Sequence, residues 1–123
     1  AEVRRIARET GERDGIDAHL HGGFTRPPKP LNDQQRTMVA WTRQAGSALG
    51  LDLQFRPSGG VCEGNNLAAA GCPNIDTLGP CGGGLHSDEE FAVISSFAER
   101  AKLSFLLLAG VERGVFDVRS LRS

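Results

Sequence analysis

The sequence lacks the features that mark several classes of protein. It has 14 basic and 15 acidic residues among 123, a net charge of −1 and no basic run interleaved with aromatics, which argues against nucleic-acid binding. Its longest apolar run, Phe105–Val111, is too short to cross a bilayer. The charged N-terminus has no apolar stretch of the kind found in signal peptides. Three cysteines, an odd number, predict no disulfide framework, so we expect a reducing, cytoplasmic environment.

Glycine, by contrast, is abundant, and one glycine-rich loop stands out. Of the 16 glycines, those at 82–84 are consecutive and lie in the loop Gly79–Glu90. Ser87 followed by Glu90 has the spacing of a capping box, which predicts a helix from Asp88 to about residue 110. His86 is then held just outside a helix N-terminus, at the end of a loop with few side chains.

The hydrophobic pattern predicts helices and strands in alternation. Helices are predicted over residues 1–13, 33–49, 65–70 and 88–110, and half-buried strands over residues 16–21, 51–55 and 74–78. The tail after Val111 is expected to be a short strand near residues 115–118 or a disordered segment. This order of elements argues for an α/β fold, in which ligands gather at the loops beyond the strand ends.

A proline-rich segment predicts a domain boundary. Pro27, Pro28 and Pro30 disfavour a helix or a central strand and favour a stiff, extended connector. We therefore expect residues 1–26 and 27–123 to belong to different domains. Because the sequence has no initiator methionine and opens in a helical pattern, we expect it to be the middle of a longer protein.

Histidines and cysteines offer several possible metal sites. His86 is the best single ligand, with Asp88 or Glu89 orienting its second ring nitrogen, although a capping-region histidine on a surface loop has the same pattern. A structural zinc site needs closer cysteine pairs than this chain has, so small packed thiols are favoured over such a site. The residues of that zinc alternative are Cys62, Cys72, Cys81 and His86. A second pair, His19 and His21, shares one strand face, which is either half a metal site or an exposed polar surface.

Two further patterns suit anionic ligands. Ser58-Gly59-Gly60 could cradle an anion with its backbone N–H groups, although no P-loop, dinucleotide fingerprint or serine-hydrolase elbow is present. Arg26 and Arg56 each precede a proline in an extended segment. A fixed guanidinium fork suits a carboxylate, whereas a surface arginine is the common alternative.

Several of these segments, taken in order, resemble a known family. The segments are Gly23–Pro28, Ser58–Pro73, Ile75–Gly79 and Gly84–Glu90. They are similar to the C-terminal part of the zinc metallopeptidases that include glutamate carboxypeptidase, acetylornithine deacetylase, succinyl-diaminopimelate desuccinylase and aminoacylase. That resemblance implies an α/β zinc-exopeptidase catalytic domain preceded by the last helix and strand of an α+β lid or dimerisation domain. It also implies hydrolysis of an amide bond next to a free carboxylate, in a small peptide or an N-acyl amino acid.

The resemblance also implies roles for particular residues. His86 matches a zinc ligand, Arg26 matches an arginine that grips the substrate carboxylate, and Gly59, Gly60 and Val61 match a loop that approaches the substrate. Val61 stands where some members have a third glycine.

The family's other metal ligands and its general-base glutamate belong to an N-terminal half that this sequence does not contain. The complete enzyme would hold two zinc ions, but one histidine cannot hold catalytic zinc, so we expect this chain alone to bind zinc weakly and to be inactive. The long helix, without its sheet, is expected to expose an apolar face or to bury it in a homodimer. The competing interpretation is a non-catalytic module that keeps the fold for dimerisation or ligand binding.

Overall fold

The computed structural model describes residues 2–122, and helices dominate it. The helices are α1 (Glu2–Gly11), α2 (Asp33–Ser47), α3 (Glu63–Ala69) and α4 (Ser95–Glu112), followed by a 3₁₀ turn, Val118–Leu121. The strands β1 (Gly82–Gly83) and β2 (Phe91–Ala92) pair antiparallel, with Gly82 opposite Ala92 and Gly83 opposite Phe91. No helix within these residues combines the length and apolarity needed to cross a membrane.

The core lies between α2 and α4. Leu103 of α4 is 0% exposed and forms a buried cluster with Ala45 of α2 and Phe116 from the tail. Trp41 stacks on Phe116, with ring centroids 5.4 Å apart and an interplanar angle of 19°. Gly110 makes this packing possible, because a Cβ there would lie 2.4 Å from the Phe116 ring.

The predicted second helix is confirmed over Asp33–Ser47, and the residues that flank it explain where it begins and ends. Asn32 Oδ1 accepts a hydrogen bond from Gln35 N at 2.9 Å, which satisfies one of the free N–H groups of the first turn. At the other end Gly50 adopts φ +72°, the left-handed conformation that ends helices, and Leu51 N donates to Gly46 O at 2.9 Å.

The short helix α3 begins before the predicted residue 65. Asn65 lies inside the helix, and its Oδ1 accepts a hydrogen bond from Cys62 N at 3.1 Å. The Asn65 side chain therefore reaches back from the first turn of the helix to the backbone of Cys62, the residue before the helix. The sequence pattern instead placed Asn65 at the start of the helix.

The three predicted strands have no ladder partners, and no strand is assigned at 16–21, 51–55 or 74–78. A strand is stabilised by hydrogen bonds to a neighbouring strand, and within residues 2–122 the only ladder joins β1 to β2. Leu53 and Leu78 nevertheless pack against the Leu103 cluster. These two segments therefore cover α2 and α4 without forming a sheet.

The long helix begins later than predicted. Residues 91–92 pair with β1, so the chain turns at Ser87–Glu90 and α4 starts only at Ser95. Ser87 does not cap a helix; its Oγ accepts from Glu89 N at 3.2 Å within this turn. In the apolar stretch 103–108 only some side chains are covered: Leu103 is buried, whereas Phe105 and Leu108 are exposed.

The two ends of the chain differ from each other in packing. The first predicted helix is confirmed over Glu2–Gly11 (residue 1 lies outside the described residues), and none of its residues is buried. The tail is neither a strand nor irregular throughout, because Phe116 enters the core and a 3₁₀ turn follows. Gln34 Nε2 donates to Leu121 O at 2.7 Å and holds this turn against α2.

Candidate functional site

His86 lies on an exposed turn with an unusual backbone conformation. Its φ of +64° is left-handed, which few residues other than glycine adopt. Its backbone N–H donates to Glu90 Oε2 at 3.3 Å. Among residues 2–122, neither Asp88 nor Glu89 hydrogen bonds the imidazole, so the expected orienting carboxylate is not in place.

The described part of the chain does not fit zinc. No group of three or more His, Cys, Asp or Glu side chains within residues 2–122 could hold a metal ion. The alternative cysteine–histidine zinc site is likewise not assembled, because its cysteines contact different groups. Cys62 Sγ lies 2.9 Å from Asp76 Oδ2, and Cys81 Sγ lies 3.0 Å from a guanidinium nitrogen of Arg100.

His19 and His21 also belong to no group of three or more possible metal ligands within the described residues. The rings of His19 and His21 are 6.2 Å apart, as expected for residues two apart on one face. His19 Nε2 lies 3.0 Å from Asp17 Oδ2, and all three side chains are exposed. Of the two alternatives for His19 and His21, the exposed polar surface is therefore the one that fits this segment.

Arg26 contacts a carboxylate beside the Ser-Gly-Gly loop. Its Nη2 donates to Glu63 Oε1 at 2.7 Å, which joins residues 37 positions apart in the chain. Glu63 is the first residue of α3, where a negative charge is favoured by the helix dipole. A backbone hydrogen bond within Glu63, and then the Arg26 charge and hydrogen bond, lower the pKa of this carboxyl.

The Ser-Gly-Gly loop is exposed and open. Gly60 N donates to Ser58 Oγ at 3.1 Å, so one of the amides expected to cradle an anion is bound by its own loop. A Cβ on Gly59 would meet nothing within 4 Å. Val61 is also exposed and lies two residues before Glu63, so the Arg26 contact places the predicted clamp next to this loop.

A polar network that the sequence did not reveal lies behind the loop. Asp76 accepts hydrogen bonds from Lys29 Nζ and from Cys62 Sγ, and Lys29 Nζ also donates to Asn74 Oδ1 at 3.2 Å. Burial raises the pKa of Asp76, but the hydrogen bonds from Cys62 and Lys29 together with the Lys29 charge outweigh it, so the pKa is lowered.

The same network extends through asparagines to the backbone. Asn65 Nδ2 donates to Pro27 O, and Asn74 Nδ2 donates to Gly64 O, each at 3.0 Å. A Cβ on Gly64 would lie 2.4 Å from Asp76 Oδ2, so a larger residue there would push this carboxylate out of its place in the network. These bonds fasten the proline-rich connector to α3. Because they join residues 10 to 47 positions apart, no local pattern could have revealed them.

Arg56, the second predicted fork, lines a cavity of about 270 Å³ between the segments 53–56 and 76–78. Arg100 of α4 lines the same cavity, and its Nε is buried without a hydrogen bond, 3.5 Å from Glu99 Oε1. Arg56 and Arg26 therefore face different neighbours. The structure brings Arg26 next to the Ser58-Gly59-Gly60 loop. Within residues 2–122, no hydrogen bond or ion pair links His86 to Arg26 or to Arg56.

Comparisons with protein-family models, with curated proteins and with solved structures found no match to this chain.

Proposed function

We propose that this chain is the C-terminal part of a zinc-dependent carboxypeptidase or deacylase that hydrolyses an amide bond next to a free carboxylate. The ordered set of motifs supports this proposal, and one contact carries it: the Arg26 guanidinium binds the Glu63 carboxylate at the edge of the Ser58-Gly59-Gly60 loop. The substrate class is a small peptide or an N-acyl amino acid.

In this proposal Glu63 occupies the position of the substrate carboxylate. A guanidinium binds carboxylates in a planar, charge-assisted geometry, so a free substrate carboxylate can replace the Glu63 side chain on Arg26. The exchange is feasible because the Glu63 side chain is 82% exposed, so water can solvate its carboxylate once it is displaced. His86 would contribute one imidazole to a zinc site. The remaining ligands are not among the described residues, so no catalytic step is assigned to them.

Carboxylate binding by the chain itself tests this proposal. We expect N-acetylglutamate to shift the backbone resonances of residues 59–63 in an NMR titration. Arg26→Gln should abolish the saturable shift, and Glu63→Gln should tighten binding because it removes the competing carboxylate. Arg119→Gln is the matched control, since Arg119 Nε also binds a carboxylate, Asp117 Oδ1, at 3.0 Å but lies outside the loop. Equal loss of binding in Arg26→Gln and Arg119→Gln would contradict the clamp.

The zinc ligand is tested in the complete reading frame. We expect the segment upstream of Ala1 to encode a His-x-Asp motif and a Glu-Glu pair, and His86→Ala in that full protein to lower zinc content and activity together. Unchanged zinc content and rate in His86→Ala would contradict the ligand role. In the same protein Arg26→Ala should weaken hydrolysis of free-carboxylate substrates more than that of their esters.

A second candidate function is a non-catalytic module that dimerises or binds a ligand. The observation that favours it is the open apolar side of α4, where Phe105 and Leu108 are exposed. Tight binding of N-acetylglutamate at Arg26 together with an upstream frame that lacks both motifs would support this second function.

A further inference from the structure

Helix α4 is apolar on two opposite sides, and only one of them is covered. Ser96, Leu103 and Gly110 recur every seven residues, and all three are buried. At 100° per residue they form one stripe, which faces α2 and Phe116. An amphipathic helix of a monomer normally has charged residues on the opposite side.

The opposite side of α4, which we call the α4 seam, has a single charged residue, Glu112, at the last position of the helix. The positions Ile94, Ala101 and Leu108 are spaced by seven residues, as are Phe97, Ser104 and Val111. This is the a/d pattern of a two-helix coiled coil, repeated over two heptads. Two more residues, Ala98 and Phe105, widen the stripe on one side. All eight side chains are exposed except Ser104, which is half-buried.

The exposed area of the seam suits a dimer. Its five large side chains are between 37% and 85% exposed, which leaves roughly 600 Å² of mostly apolar surface, given that a fully exposed aromatic side chain offers about 150–250 Å² and an aliphatic one somewhat less. A patch of this size is at the upper limit for a monomer, which is about 300–600 Å². Two copies would together bury at most roughly 1,200 Å², which is the lower end of the range for stable protein interfaces.

We propose that a second copy of this chain covers the α4 seam and that two α4 helices pair antiparallel around a two-fold axis. In this pairing the small side chains of Ala101 and Ser104 meet at the centre, where they let the helices approach closely. Phe97 then lies against Leu108 of the second copy, and Ile94 lies against Val111 of the second copy. The antiparallel direction also opposes the two helix dipoles. This inference does not depend on zinc or on substrate binding.

Analytical ultracentrifugation of the chain tests the proposal, with one pair of matched variants. Leu108 is 71% exposed and Leu85, which lies outside α4, is 73% exposed, so replacing each by glutamate adds the same charge at the same accessibility. We expect the native chain and Leu85→Glu to be dimers. In Leu108→Glu two charges enter one apolar interface, so its dimer dissociation constant should rise by roughly a hundredfold or more.

A second variant keeps the test informative if Leu108→Glu fails to fold. Phe105→Glu should also dissociate the dimer, and circular dichroism at 222 nm should show that its monomer keeps the native helix content. A native chain that stays monomeric up to about 100 μM, the affinity of a weak association, would overturn the proposal. Equal dissociation of Leu85→Glu and Leu108→Glu would also overturn it.

Discussion

The helix pair α2–α4 and the N-terminal segment before it use their apolar side chains in opposite ways. In the pair, Leu103 is fully buried against Ala45 and Phe116. In the N-terminal segment, Ile6 is 50% exposed and Phe24 is 94% exposed. Both regions have helical periodicity, and α1 forms as predicted. The difference shows that periodicity specifies a helix, whereas burial needs a second element within reach.

The strongest way to break this contrast is to remove a side chain from the packed region. Leu103→Ala leaves a cavity in a site that is fully enclosed, so we expect the free energy of unfolding to fall by about 3 kcal/mol. Ile6→Ala removes a half-exposed side chain from α1, and its effect should stay below about 0.5 kcal/mol. Urea unfolding followed by circular dichroism measures both. Similar losses in the two variants would show that α1 packs as tightly as α4.

Adding a methyl group tests the same contrast from the other direction. Gly110→Ala places a Cβ 2.4 Å from the Phe116 ring, so we expect a loss of about 1–3 kcal/mol in the free energy of unfolding from overpacking. Gly11→Ala is the control, because its Cβ would lie at an ordinary 3.6 Å from Ala18. If Gly110→Ala were more stable than the native chain, the helix propensity gained would outweigh the clash and Phe116 would be loosely held.

A smaller effect is expected where the connector joins the two regions. The lowered pKa of Asp76 means that its ionised form stabilises the fold above the pKa of the unfolded chain, and that this contribution is lost as the pH falls through the folded pKa. Asp76→Asn should cost about 1–2 kcal/mol at neutral pH, since it weakens hydrogen bonds to a charged group. The variant should also flatten the acid side of the stability profile.

Asp52→Asn is the control for this prediction, because Asp52 is exposed and, within residues 2–122, its carboxylate accepts a side-chain hydrogen bond only from the nearby Gln54. Its stability profile between pH 2 and pH 7 should match that of the native chain. If the free energy of unfolding of Asp76→Asn fell at low pH as steeply as that of the native chain, the network would be excluded as a source of acid sensitivity.

Local signals predicted much of the helical structure. The cap at Asn32 and the stop at Gly50 depend on a few neighbouring residues, and both are present in the structure. The start of α4 was placed seven residues early, because the capping-box spacing of Ser87 and Glu90 also fits a tight turn. The predictions of strands at 51–55 and 74–78 were wrong, because neither segment has a partner strand within the described residues.

The candidate site was less predictable than the helices. Arg26 was singled out for a carboxylate, and the structure places one on it, but nothing in the sequence identified Glu63 as that partner. The Lys29–Asp76–Cys62 network was missed because its members are far apart in sequence and belong to three different segments. Phe116 was not singled out because the apolar residues of the short tail have no clear helical or strand periodicity.

The unpaired segments beside the cavity have a consequence for amide hydrogen exchange. Within the described residues, the N–H groups of Asp52–Arg56 and Ile75–Leu78 donate to no backbone carbonyl, although Leu53 and Leu78 pack on the core. Their amide protons should therefore exchange within seconds, while those near Leu103 in α4 exchange only on global unfolding. A partner that supplies a neighbouring strand would slow exchange at these nine amides first.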